Sequence, residues 1–167
     1  MKRILIIGAL TLFCCTNAHA ACPVPQLPET SANGQQIPAA TESLSLKDGT
    51  TVHLVPTGMG TSSIYYKVIR MDAQCKQTEL PAQIWDGKKI VMSKLGEDDT
   101  LGCVDLVVDT KKEVIRCGVN SSASLKNEMT YKVSGDYLEL LKVTESRYID
   151  DTHEKRTAVY RNKKPHA

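Results

Sequence analysis

The stretch MTYKVSGDYLEL, residues 129–140, decides the fold. With Ser134-Gly135 as a two-residue loop, Met129 stands opposite Leu140, Tyr131 opposite Leu138 and Val133 opposite Asp136. Met129, Tyr131, Val133, Leu138 and Leu140 then share one face, and Thr130, Lys132, Tyr137 and Glu139 share the other. Successive side chains of a strand point to opposite sides, so the pattern predicts an antiparallel hairpin with one buried and one solvated face.

Outward from this hairpin the same alternation recurs about every ten to fifteen residues. Candidate strands cover residues 44–47, 51–55, 64–71, 83–85, 89–94, 101–108, 113–118, 129–133, 137–143 and 156–162, with a further short one at 147–149. Asp48-Gly49 and Asp86-Gly87 read as tight turns, because glycine accepts a positive φ. The run 64–71 divides Ile64, Tyr66 and Val68 from Tyr65, Lys67 and Ile69, which predicts a strand covered on both sides. No run of ten or more residues carries a 3.6-residue apolar stripe, and residues 121–127 have room for one helical turn at most. Ten short strands must avoid leaving open edges. The expectation is therefore an all-β domain, an antiparallel meander closing into a small β-barrel, with a two-sheet β-sandwich as the alternative.

The carboxyl-terminal third, YKVSGDYLEL from Tyr131 to Leu140 and TAVYRNK from Thr157 to Lys163, resembles the last strands of small bacterial lipocalin-like exported domains. Such domains often end in a Tyr-x-x-x-Gly-Asp-x-Leu hairpin and a closing strand with Tyr-Arg. The resemblance implies a lipocalin-like barrel and brings no ligand-binding residue with it.

Residues 1–20, MKRILIIGALTLFCCTNAHA, have a basic start at Lys2 and Arg3, an apolar run from Ile4, and small residues at Ala18 and Ala20. They read as a cleaved signal peptide with an A-x-A site. An apolar run of about 12 residues is too short for a bilayer that needs roughly 20, so no transmembrane segment is expected after processing. His19 stands where a lipoprotein signal would carry leucine, which argues against lipidation at Cys22. The compact signal looks bacterial, and the expected address is periplasmic or secreted, in a bacterial envelope. Residues 21–42, with four of the seven prolines, read as a Pro-rich flexible leader, residues 43–163 as the β domain and residues 164–167 as a disordered tail.

Loss of Lys2 and Arg3 leaves 19 basic against 19 acidic side chains. Net charge is then zero, and a nucleic-acid binder, which needs a basic field to attract phosphate, is not expected. The run 153–164 has five basic residues and one acidic. It reads as the exposed face of a last strand.

Four cysteines remain after processing, Cys22, Cys75, Cys103 and Cys117. An even count in an exported chain predicts two disulfides, and the absence of C-x-x-C spacing argues against a metal or redox site. The best side-chain register of the 105–116 hairpin sets Asp105 opposite Arg116, Leu106 opposite Ile115, Val107 opposite Val114 and Asp109 opposite Lys112. In that register Cys103 and Cys117 point to opposite faces, and a direct bridge needs a bulge. The reading leans to Cys103 with Cys117 and keeps Cys22 with Cys117 plus Cys75 with Cys103 open.

No catalytic set is assembled by spacing. Gly-x-Ser-x-Gly is absent, and Ser121-Ser122 reads as a polar loop. His53 falls on the face opposite Val52 and Leu54, which predicts a solvent-facing imidazole. His153 among Asp150, Asp151 and Glu154 reads as a charged loop, and Glu97-Asp98-Asp99 lacks the ladder of a calcium loop. Met59, Met71, Met92 and Met129 read as core filler, replacing the phenylalanine that the mature chain lacks. No cofactor and no metal are expected.

These features predict an exported non-catalytic binding protein, not an enzyme, with a small ligand or an envelope protein as partner. The alternative is a protein-directed inhibitor or immunity factor against an envelope hydrolase. The glycine-rich Thr57, Gly58, Met59, Gly60 and Thr61 would form its partner-contact loop, with residues 97–100 as a second.

Overall fold

The computed structural model describes residues 22–25, 37, 40–94, 101–122, 124–150 and 153–162. The expected signal, most of the expected leader, the acidic run 97–100 and the expected tail 164–167 lie outside the described residues. So do the side chains at 149, 150 and 153, and with them the His153 cluster.

Twelve strands are formed among the described residues, and no helix: β1 (Glu42–Ser45), β2 (Thr51–Met59), β3 (Ile64–Met71), β4 (Gln77–Glu79), β5 (Gln83–Trp85), β6 (Ile90–Met92), β7 (Leu101–Cys103), β8 (Asp105–Asp109), β9 (Val114–Ser122), β10 (Leu125–Ser134), β11 (Tyr137–Asp150) and β12 (His153–Arg161). The first sheet runs β1-β2-β3, and its far edge is shared: β4 pairs with the Ile69–Met71 end of β3 and β7 with the Ile64–Tyr66 end. The second runs β12-β11-β10-β9-β8, antiparallel throughout. The β5-β6 hairpin stands apart from both ladders and is fixed to β11 by Leu138 N–H donating to Pro81 O (2.8 Å) and Leu140 N–H donating to the Gln83 side chain (3.0 Å). The described strands do not close into a barrel, so the expected meander is present while the two-sheet alternative fits it equally well.

The two sheets meet at one corner. The run 101–109 is a single extended path that changes sheets at Val104, whose N–H donates to Gly118 O at 2.7 Å. Cys103 stays on the first sheet, opposite Ile64, and Cys117 lies on the second, opposite Leu106. Their bridge is buried, with Cα atoms 5.2 Å apart, about half the usual spacing of sheets packed face to face. It therefore closes a corner. The expected register was two residues off: Asp105 pairs with Gly118, Leu106 with Cys117 and Val107 with Arg116. The anticipated parity conflict disappears because Cys103 does not belong to that ladder at all. The second bridge, Cys22–Cys75, clips the leader to the β3-β4 turn and excludes the crossed pairing.

The 129–140 hairpin forms with the expected faces, but its loop is Gly135-Asp136, with Ser134 opposite Tyr137 and Tyr131 opposite Leu140. A two-residue slip preserves side-chain parity, so Met129, Tyr131, Leu138 and Leu140 remain inward. They pack with Leu44, Val52, Leu54, Tyr66 and Val68 of the first sheet and with Leu80 and Ala82 of the β4-β5 connection. Fully burying one such aliphatic side chain contributes about 1.5–3 kcal/mol. Residues 121–127 make no helical turn; they are the end of β9, a turn at Ser124 and the start of β10. Glu42, assigned to the leader, already belongs to β1. Of the methionines, Met71 and Met129 fill the core, whereas Met92 is half exposed.

His53 corrects the expectation of a solvent-facing ring. Both faces of β2 are covered from Val52 to Pro56, and His53 is 5% exposed. Its Nδ1 lies 2.9 Å from the Ser43 hydroxyl on the neighbouring strand, and burial lowers its pKa below the ordinary histidine value.

Candidate binding site

The turns of the two sheets gather at two ends. At the first, polar groups bridge the sheets: the Lys47 N–H donates to Glu113 Oε1 (2.8 Å), and the Arg70 guanidinium, at the end of β3, donates to Gly135 O in the β10-β11 loop. The depression left there, beside Leu46, Glu113 and Val133, measures 230 Å³. That is below the usual size of a small-molecule site.

At the other end of the second sheet, the β5-β6 hairpin and strands β9, β10 and β11 leave a cavity of 370 Å³ between them. Alternation builds its lining. On β10 the inward row continues past Tyr131 and Met129 to Asn127 and Leu125; on β9 it continues past Cys117 to Val119 and Ser121; on β11 it passes Val143 to Glu145, directly opposite Asn127. The rows leave the apolar core and become mixed. The β5-β6 hairpin closes one side with Trp85, Asp86 and Gly87. Trp85 stacks on Tyr160 of β12 with centroids 5.9 Å apart, and that contact holds the hairpin over the cavity. Gly87, at φ +97°, makes the turn with Asp86, whose Oδ1 accepts the N–H groups of Lys88 (2.9 Å) and Lys89 (2.8 Å). These bonds favour the charged form and lower the Asp86 pKa.

Two polar groups here are incompletely satisfied. Asn127 donates from Nδ2 to the Ser121 hydroxyl at 2.9 Å, but its Oδ1 is buried and has no hydrogen-bond partner. Glu145 meets the exposed Arg147 only at 3.4 Å and through one oxygen. A buried acceptor without a donor costs about 1–3 kcal/mol. By contrast, Tyr131 in the core has its hydroxyl 3.1 Å from the Met129 sulfur, and burial raises its pKa far above the ordinary tyrosine value. It is sealed away from the cavity floor.

A larger depression, 520 Å³, lies on the outer face of the second sheet between Val107, Arg116 and Glu128. It is rimmed by charges that pair with one another, Lys126 with Asp105 and Glu128 with Arg156. It has no aromatic residue. The open end is the better candidate because it joins apolar walls, an aromatic ring and unsatisfied polar atoms.

The sequence pointed elsewhere. Of the residues expected to form a partner-contact loop, Thr57, Gly58 and Met59 are the end of β2, with Gly58 and Met59 paired to β3 and Thr57 at the bulge between them and Pro56, and Gly60 and Thr61 lie in the turn, where Gly60 N–H donates to Ser63 O (2.7 Å). The glycines serve the fold: a Cβ at Gly60 would stand 2.7 Å from the Tyr65 hydroxyl, and one at Gly102 would stand 3.1 Å from the same ring. They form a trough for Tyr65. Cys22, Cys75, Cys103 and Cys117 are all bridged. Among the described residues no three His, Cys, Asp or Glu side chains gather as metal ligands, and no helix is long and apolar enough to cross a membrane.

In comparisons with known proteins, no family model matches the chain, and no match was found among curated proteins or solved structures.

Proposed function

We propose that the protein is an exported, non-catalytic binding module of lipocalin-like barrel character that takes a small molecule into the cavity between its β5-β6 hairpin and its second sheet, in a bacterial periplasm or outside the cell. The observation that carries this reading is the cavity between the β5-β6 hairpin and the inner face of β9, β10 and β11, where a buried Asn127 acceptor has no partner. Two further features support it. Both disulfides suit an oxidising compartment, and the signal-like residues 1–20 suit export.

Native mass spectrometry of the protein recovered from its own compartment tests the reading. The expected spectrum has two intact bridges and a mass increment from a bound small molecule, lost on replacing Leu125 by Trp to fill the cavity. An increment that survives Leu125→Trp would place binding elsewhere, and free thiols would contradict export.

A further inference from the structure

We propose that the open-end cavity selects an amine: a small, largely apolar molecule bearing one ammonium group, held between the Trp85 ring and the Glu145 carboxylate. This rests on reading the cavity as a ligand site, and adds the sign of the ligand's charge.

The lining decides that sign. It contains two carboxylates, Asp86 and Glu145, and no lysine, arginine or histidine. Asp86 is held ionised by the Lys88 and Lys89 N–H groups. Those bonds occupy only Oδ1. Glu145 projects from β11 beside Asn127, its side chain 27% exposed, and its ion-pair partner among the described residues is Arg147, which is 65% exposed and touches just Oε1. Oε2 of Glu145 and Oδ1 of Asn127 are thus acceptors without donors among the described residues. An ammonium group has three donors and no acceptor, which complements that set. A carboxylate ligand would meet the half-buried Glu145 carboxylate and would bring no donor, whereas Asp86 stands exposed at the rim beside Lys88 and Lys89. The ring of Trp85 adds a face that attracts cations. Val119, Leu125 and Met129 supply apolar wall for the rest of the molecule.

The outer groove serves as an internal comparison. Its Lys126 and Arg116 balance Asp105 and Glu128, so it offers no net sign. The cavity under the β5-β6 hairpin, unlike that groove, is acceptor-rich and apolar together.

Trp85 is the single tryptophan of the chain, so its emission reports on this cavity without background from another indole. The test is a fluorescence titration of the full mature protein with three probes of one chain length: octylamine, 1-octanol and octanoate. The expected result is a saturable change with octylamine, at an affinity about tenfold or more above that of 1-octanol, as a charge-assisted pair requires. Octanoate should bind weakest. Glu145→Gln should remove the preference for octylamine over 1-octanol, with the fold of the variant checked independently by its urea unfolding midpoint. Equal or tighter binding of octanol or octanoate would overturn the charge selection and leave the cavity standing as a site. No saturable response to any of the three would overturn both.

Discussion

At one end of the second sheet, polar groups of the first sheet reach across and meet its turns; at the other, a cavity under the β5-β6 hairpin holds an acceptor that has no donor among the described residues. Lys47, Glu113, Arg70 and Gly135 close the first end with hydrogen bonds between sheets. Asn127 and Glu145, on the same strands one row beyond the core, face a cavity in which part of their bonding capacity is unused. Both ends come from one strand set with one alternation. What differs is the content of the inward row: it stays apolar through Tyr131, Leu138 and Leu140 and becomes mixed at Asn127 and Glu145. The comparison teaches where to seek function in such a fold. Unsatisfied inward polar groups, which folding alone does not favour, mark the end built for something else.

Truncation on the two sides of that boundary should break the symmetry most sharply. Leu138 is fully buried, and Leu138→Ala is expected to lower the stability read by urea unfolding by about 2–5 kcal/mol. Leu125 lines the open end, and Leu125→Ala should cost less than about 1.5 kcal/mol while weakening ligand binding. Equal losses would mean that the cavity is packed as tightly as the core.

The bridges come next. By loop length alone, Cys22–Cys75, with a separation of 53 residues, should contribute more than Cys103–Cys117, with 14: about 4 against about 3 kcal/mol. Packing reverses that order. Cys103 and Cys117 are buried at the corner where the sheets join, whereas Cys75 is exposed in a turn and Cys22 is only half-buried. The expected loss is therefore about 3–5 kcal/mol for the paired alanine replacement of Cys103 and Cys117, and less than about 2 for that of Cys22 and Cys75. Thermal unfolding of the two variants side by side checks this.

Smaller effects sharpen the description of the sealed end. Arg70→Ala removes its bond to Gly135 and should cost about 1 kcal/mol, with ligand binding at the far end unchanged. His53, near the sealed end of β2, has a folded-state pKa below its unfolded value of about 6.5. The unfolded chain then binds the proton first as pH falls, so stability should be level above that value and decline below it. His53→Gln should remove that decline; a decline that persists would assign it to another group.

Much of the fold was legible in the residues. Parity is robust to small register errors, so the inward set of residues 129–140 was read correctly even though the loop lies one residue further on. The corner was not legible, because nothing in residues 101–109 marks Val104 as the point where the chain leaves one sheet for the other. The β3-β4 turn was missed for a related reason: Cys75 takes φ +61° and Asp72 caps the turn by accepting from Gln74 and Lys76, with no glycine or proline to announce it. His53 was misplaced since alternation predicts burial only when a single face is covered. The site itself was hidden. Its residues come from three strands and a hairpin, and each alone reads as ordinary sheet surface; the lone Trp85 beside Asp86-Gly87 is the one marked feature. The glycine run 57–61 drew attention instead, for a reason that the Tyr65 ring explains.

The most direct test of the central claim is a crystal structure of the mature protein grown with octylamine. The account predicts ligand density between Trp85 and Glu145, its amine within hydrogen-bond reach of Glu145 and Asn127, and an unchanged sealed end at Arg70 and Gly135. Density in the outer groove beside Arg116, or Trp85 collapsed onto Val119 with no space between them, would contradict it.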